Sequence, residues 1–325
     1  RQQQIRRRTL SAATTTTTTT AISIKPALQN AATPNEYNRF DCTALSCSQV
    51  SSAKMTKDNG DAARRQITAA DLEQYRQTIM NLVNENPQLF HPADIKRIHE
   101  DTLFCKRYMR AGKGNFDRAI EITRRALEWR KSFGVNDFDE CSPQAATSLR
   151  HLSAGSIFPY GLTKSGAHVV MMRSRYHGKP QTPEERLEQQ KLVAYIIESM
   201  VIKRRVKKIA FLFDCQHTGL SNTDIDGVKF IITLFRDYYP YLLERIYVVE
   251  MPWILQATWK LIKGLLPSEA QTLIVFISKE ELAEDIAVES LPKWLGGTNE
   301  YCYKYVVGNL LGDNCPMYTL ESKAS

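Results

Sequence analysis

Residues 238–267, YYPYLLERIYVVEMPWILQATWKLIKGLLP, decide how the rest of the chain is interpreted. The stretch contains a predicted strand, ERIYVVEM, and continues after Pro252 as a predicted helix. The main polar residues of that helix are Gln256, Lys260 and Lys263, and steps of four and three place them in one narrow stripe. Most of the remaining circumference is apolar, although a surface helix needs only one apolar stripe.

Two interpretations account for this excess of apolar surface. In the first, the helix is buried between a sheet and a neighbouring helix. In the second, it is a lid whose inner face covers an apolar ligand and whose outer face touches a bilayer. Trp253 and Trp259 suit the membrane interface, where an indole buries its ring and keeps its N–H hydrated. Lys260 and Lys263 are predicted membrane contacts, since their ammonium groups reach phosphate headgroups.

The composition is that of a globular protein. The chain has 325 residues, of which 43% are hydrophobic and 24% charged, and its net charge is +8. This length suffices for a sizeable core. A mildly basic surface is compatible with anionic membranes, and we expect no nucleic-acid partner. The seven cysteines form no CxxC pair, which favours reduced thiols in a cytosolic protein.

The first part of the chain, residues 1–66, is predicted to be a disordered tail. It contains Arg, Ser and a Thr run, and it lacks the apolar residues that a core needs. A mitochondrial transit peptide has a similar composition. Alternatively, residues 1–54 are not translated in the natural protein, because the first methionine is Met55.

Residues 67–140 are predicted to form a helical lobe of three helices, with Thr68 as an N-cap and Gly112 and Gly134 as helix ends. After this lobe the period changes from about 3.6 to 2. Strands and helices then alternate through residues 141–308, which predicts an α/β sheet that is largely parallel. Residues 309–325 are assigned to a C-terminal tail.

Several motifs resemble, in order and spacing, those of the CRAL-TRIO (Sec14-like) lipid-binding proteins. They are RRALEWRKSFGVNDF, DCQHTG, YYP, IYVVEMPW, WKLIKGLLP and LPKWLGGT. The resemblance implies a helical N-terminal lobe and a mostly parallel mixed sheet that floors an apolar cavity closed by a gate helix. Finer features are similar to family members that carry an MSP domain and a C-terminal membrane anchor. A longer product of that kind implies the endoplasmic reticulum membrane; otherwise we expect a cytoplasmic protein peripheral to membranes.

The expected activity is therefore non-enzymatic binding, with transfer, of a hydrophobic lipid ligand by a monomer that needs no cofactor. The alternative is an interaction module that docks on endoplasmic reticulum or lipid droplets and carries a vestigial pocket. A third, remote hypothesis is a hydrolase that uses Cys215 and His217. The histidines show no HExxH or paired spacing, so no metal site is expected. The GKGN segment around Lys113 lacks the spacing of a phosphate-binding loop.

The expected pocket or gate residues are large apolar side chains of the strands, the helix before YYP and the gate: Phe211, Phe213, Ile231, Phe235, Val248, Trp253, Leu255, Trp259, Ile262, Leu265 and Leu266. One departure from the family bears on the ligand. Phosphatidylinositol-binding members carry a Glu-Arg pair directly after YYP and a Lys at the start of the strand after the closing helix. This chain has Tyr241, Leu242 and Leu273 at those positions. A buried inositol phosphate needs charged partners, so we expect poor binding of phosphatidylinositol.

Overall fold

The computed structural model describes residues 66–138 and 149–305, all within one contact-defined unit, Lys54–Ser325. The tails predicted at 1–66 and 309–325 lie outside the described residues, apart from Gln66. No helix in the two described ranges is long and apolar enough to cross a membrane. The boundaries predicted for the tails, the lobe and the second domain stay predictions.

The helical lobe contains four described helices where the sequence predicted three. They are α1 (Ala69–Glu85), α2 (Pro92–Glu100), α3 (Thr102–Ala111) and α4 (Phe116–Phe133). Thr68 caps α1 through a reciprocal pair of hydrogen bonds with Asp71, as its position predicted. The second predicted helix, which ends at Gly112, is divided at Asp101 into α2 and α3. The Asp101 carboxylate accepts the Phe104 N–H and so starts a new helix. Gly134 ends α4 in the left-handed conformation, at φ 76°.

The second part of the chain is built on a five-stranded sheet with the order β1-β2-β3-β4-β5. The strands are β1 (Ile157–Leu162), β2 (His168–Arg173), β3 (Ile209–Asp214), β4 (Leu243–Val249) and β5 (Ile274–Ile277). β1 pairs antiparallel with β2, and every other neighbouring pair is parallel. The α/β class and the mostly parallel mixed sheet are therefore confirmed.

Helices and irregular segments cover both faces of this sheet. The helices are α5 (Leu149–Ala154), α6 (Pro183–Glu198), α7 (Ile225–Thr233), α8 (Gln256–Leu265) and α9 (Ser268–Gln271). Side chains alternate along β3, so Phe211 and Phe213 face α6 and α7, while Ala210 and Leu212 face the segment that follows β5. Because both faces are covered, β3 is apolar from Ile209 to Phe213 and ends at Asp214.

A buried ionic network joins the helical lobe to the sheet. Arg130 of α4 is fully buried, and its guanidinium donates to Asp94 at 2.9 Å and to Glu198 at 2.5 and 3.0 Å. Arg97 also donates to both carboxylates, at 2.6 and 3.3 Å. The Tyr239 hydroxyl donates to Glu198 at 2.7 Å. The charges are balanced and hydrogen-bonded, which is the condition under which burial of ions is tolerated. The network fixes the lobe against the elements that surround the cavity.

Candidate functional site

A cavity of about 210 Å³ lies between one face of the sheet and helices α6, α7 and α8. Its floor follows from strand register, because Met172, Phe213, Val248 and Phe276 are aligned across β2 to β5. All four side chains line the cavity. A cavity that keeps aromatic and aliphatic groups at its surface is suited to an apolar ligand.

Helix α8, which we call the gate helix, covers this floor. Leu255, Trp259, Ile262 and Leu266 recur at helical spacing and line the cavity. The Trp259 ring packs edge to face on Phe276, with centroids 4.8 Å apart. None of the ten residues of this fully described helix is buried. The first interpretation, a helix buried between the sheet and a neighbouring helix, is therefore wrong.

We call residues 253–266, which are the gate helix and the turn before it, the gate segment. Its side opposite the cavity faces solvent with apolar side chains. Trp253 is 80% exposed and Leu261 62% exposed, and Leu265 is also exposed. Lys260 and Lys263 are exposed between them. A soluble protein rarely leaves large apolar groups together at its surface without a use for them. The outer face of the gate is therefore a second candidate site.

The predicted pocket and gate residues fall into three groups. Seven line the cavity: Phe213, Ile231, Val248, Leu255, Trp259, Ile262 and Leu266. Trp253 and Leu265 belong to the outer face of the gate segment. Phe211 and Phe235 are core residues instead, which corrects their assignment to the pocket. The two rings pack on each other with centroids 6.1 Å apart, and both are buried.

One end of the cavity is polar, and its residues were not predicted from the sequence. They come from four separate segments: Ser174, His177, Arg186, Thr218 and Asp224. Arg186 donates to both carboxylate oxygens of Asp224, at 3.0 and 3.2 Å, and His177 Nε2 lies 3.5 Å from Asp224. Burial acts to raise the pKa of Asp224, but hydrogen bonds from His177, the Gly227 backbone and Arg186 hold that pKa well below its usual range.

The hydroxyl of Thr218 is an unused hydrogen-bonding group at this polar end. Thr218 is buried, it lines the cavity, and its Oγ1 has no hydrogen-bond partner among the residues that the structure describes. A buried hydroxyl without a partner costs free energy, and a ligand group that bonds to it would recover that cost. The polar end is therefore suited to the polar part of an amphipathic ligand.

The structure gives Cys215 and His217 different surroundings, one buried and the other exposed. The Cys215 thiol is buried, which raises its pKa to about 11, against an opposing contact with the Ser174 hydroxyl at 4.0 Å. A protonated thiol is a poor nucleophile. His217 is exposed and sits on a left-handed backbone position, with φ 57°. Within residues 66–138 and 149–305, no group of His, Cys, Asp or Glu could hold a metal ion.

The three positions that depart from the phosphatidylinositol-binding pattern lie outside the cavity lining. Leu242 is fully buried. Tyr241 is exposed on a left-handed backbone position, and its carbonyl accepts a hydrogen bond from Lys208 at 2.9 Å. None of the three side chains offers an inositol phosphate the charged partners that it needs.

Comparisons with known proteins are consistent with this architecture. Residues 152–297 match the family model of the CRAL/TRIO domain. The chain is 28% identical over 203 residues to the phosphatidylinositol transfer protein CSR1 of Eremothecium gossypii, covering 60% of this chain and 47% of that protein. It is 26% identical over 256 residues to the Sec14 cytosolic factor of Schizosaccharomyces pombe, covering 66% and 88% respectively.

A relative from Arabidopsis thaliana, the phosphatidylinositol/phosphatidylcholine transfer protein SFH14, is 24% identical over 237 residues, covering 65% of this chain and 40% of that protein. The chain thus spans about half the length of the first curated relatives that it matches. Among solved structures, that of Sfh5 superposes with a TM-score of 0.54 at 15% identity, covering 83% of this chain and 99% of that one. This likeness concerns the fold alone.

Proposed function

We propose that the chain belongs to the CRAL/TRIO family, whose model matches residues 152–297, and that it binds a lipid in the cavity beneath the gate helix and transfers it between membranes without catalysing a reaction. The observation that carries the proposal is the two-sided gate. Its inner residues line an apolar cavity, and its outer face exposes Trp253 and Leu261. Several relatives are named as phospholipid transfer proteins, which supports the same activity.

In this proposal the lipid lies with its chains over the floor and its polar part at the His177–Arg186–Asp224 end. The floor offers only apolar contacts, whereas Thr218 offers a buried hydroxyl. The ligand is a phospholipid, a sterol or another amphipathic molecule. We expect weak transfer of phosphatidylinositol, because Tyr241, Leu242 and Leu273 give its headgroup no charged partner.

Native mass spectrometry of the purified chain tests the proposal directly. A carrier arrives with a bound lipid of defined mass, and the lipid is exchanged when vesicles are added. Ile231→Trp, which would fill the cavity from α7, should lower lipid occupancy, while circular dichroism checks that the variant is folded. A chain that is always empty and moves no lipid between vesicles would contradict the proposal.

The second candidate function is membrane docking with an unused pocket, which the exposed Trp253 favours independently of the cavity. Such a module would float with vesicles and remain empty. We also propose that the chain is a monomer that acts at the cytoplasmic surface of membranes. If a longer product carries an MSP domain and an anchor, that membrane is the endoplasmic reticulum. Identification of the full transcript and imaging of the tagged full-length protein test this placement.

A further inference from the structure

The turn between α3 and α4, the GKGN segment at 112–115, reaches the segment that follows the gate helix. Lys113 Nζ donates a hydrogen bond to Glu269 Oε1 at 2.9 Å. Lys113 occupies a left-handed backbone position, with φ 53°. A side chain at Gly112 would place its Cβ 2.4 Å from the backbone oxygen of Asn115. Packing therefore fixes the shape of this turn, and the turn presents the lysine to Glu269.

Glu269 belongs to α9, the short helix directly after the gate. Two residues later, the side chain of Gln271 donates to the carbonyl oxygens of Lys263 and Leu266, at 3.2 and 3.1 Å. The Lys263 carbonyl also accepts the backbone N–H of Leu266, the C-cap residue of the gate helix, so Gln271 adds a side-chain cap at the C-terminal end of the gate. The ion pair thus connects the helical lobe to the segment that caps the gate, and opening of the gate at this end would strain or break it.

Helix α3 and the turn after it, residues 102–115, carry cations and no acidic residue. Burial lowers the pKa of Lys208, Glu244 opposes this shift, and Arg107 and Arg110 of α3 lower the pKa further. Arg110 is exposed, and so are Lys260 and Lys263 on the gate itself. Exposed cations such as these attract an anionic surface. Glu269 is a negative group at the edge of this region, and such a surface would repel it.

We propose that the Lys113–Glu269 ion pair is a latch that restrains the gate helix, and that the anionic headgroups of a membrane release the latch by competing with Glu269 for Lys113. The latch rests on the proposed function, since it regulates the same gate. The side chains are 50% and 71% exposed, so headgroups can reach them. An exposed pair changes an equilibrium by no more than about fivefold, and a lysine beside an anionic leaflet gains an attraction of similar size.

Two measurements on the full chain test the latch and its release separately. Hydrogen–deuterium exchange of the gate amides without vesicles reports the latch. Glu269→Gln should speed this exchange by about two- to fivefold, and the charge swap Lys113→Glu/Glu269→Lys should restore the original rate. Glu300→Gln is the matched control, because Glu300 forms an exposed pair with Lys293 at 2.6 Å, away from the gate. Equal exchange in Glu269→Gln and Glu300→Gln would overturn the latch.

The second measurement is release of a fluorescent phospholipid to vesicles of phosphatidylcholine alone, or with about 30 mol% phosphatidylserine. The unmodified chain should release faster to the anionic vesicles. Glu269→Gln should raise release to neutral vesicles and so reduce the ratio of the two rates. An unchanged ratio would overturn the release by headgroups. If no variant moves lipid, the proposed function and the headgroup release both fail, and the exchange experiment still decides whether the latch exists.

Discussion

The two tryptophans of the gate segment provide a direct test, because the structure gives them opposite surroundings. Trp253 is 80% exposed on the outer face. Trp259 lines the cavity and packs on Phe276. Trp253→Ala should therefore leave the stability of the fold unchanged and weaken membrane docking, whereas Trp259→Ala should loosen the closed gate and preserve docking.

The magnitudes follow from what each ring contacts. Insertion of an aromatic side chain into a bilayer contributes about 1.5–3 kcal/mol, so loss of Trp253 should weaken vesicle binding by about 10- to 100-fold. The pair of Trp259 with Phe276 contributes about 0.5–1.5 kcal/mol beyond the area that it buries. With partial burial of the ring the total is about 1–3 kcal/mol, so the open fraction of the gate should rise by about 5- to 100-fold.

Three assays on both variants separate these effects. Thermal melting followed by circular dichroism reports the fold, vesicle flotation reports docking, and hydrogen exchange of α8 reports the gate. Normal flotation of Trp253→Ala would remove the outer face from the docking surface. Unchanged gate exchange in Trp259→Ala would show that the contact with Phe276 does not hold the gate closed, and the assignment of inner and outer faces would then be wrong.

Three further predictions concern the scaffold. Arg130→Met leaves buried carboxylates without a partner and should lower the free energy of unfolding by about 3–5 kcal/mol in urea melts, whereas Arg124→Gln on the exposed face of α4 should cost less than about 1 kcal/mol. The pKa of Asp224 is depressed in the folded state, so Asp224 contributes stability that is complete above about pH 4 and lost as the pH falls further. Asp224→Asn should therefore reduce the fall of the melting temperature with decreasing pH. An unaltered pH dependence would contradict the hydrogen bonds described. Gly297→Ala would place a Cβ 2.0 Å from a backbone oxygen and should lower the melting temperature, while Gly178→Ala, which meets nothing within 4 Å, should not.

Local sequence patterns predicted much of the fold, but they failed where contacts between distant segments determine the position of a side chain or strand. The period-2 alternation placed Phe211 and Phe213 on one face of β3 correctly. It could not tell which of them meets the cavity, because that depends on where Phe235 packs. Sequence patterns do not indicate strand β1, because Pro159 and Gly161 disfavour strands. An antiparallel edge strand with an irregular register tolerates both residues.

The cavity likewise has parts that local patterns could predict and parts that depend on contacts between distant segments. The floor and the inner stripe of the gate could be predicted, since strand alternation and helical spacing are properties of continuous segments. The polar end could not, because Ser174, Arg186, Thr218 and Asp224 come from four segments that only the folded chain brings together. Asp224 stands directly before a helical run that begins at Ile225, but an Asp in this position predicts a helix start rather than a binding site.

In the function that we propose, the apolar residues on both faces of the gate are the reason for it to close in water and open at a bilayer. In water, opening would expose the inner residues Trp259 and Ile262 in addition to the outer ones, and each large side chain costs about 1.5–3 kcal/mol to expose. At a bilayer, lipid chains can cover both faces, so the inner contacts are exchanged rather than lost. Trp253 and Leu261 gain burial there that the closed form in water never gives them. The exposed apolar surface is thus the source of the free energy for opening, and a charge placed at Leu261 should keep the gate closed at membranes while leaving the fold intact.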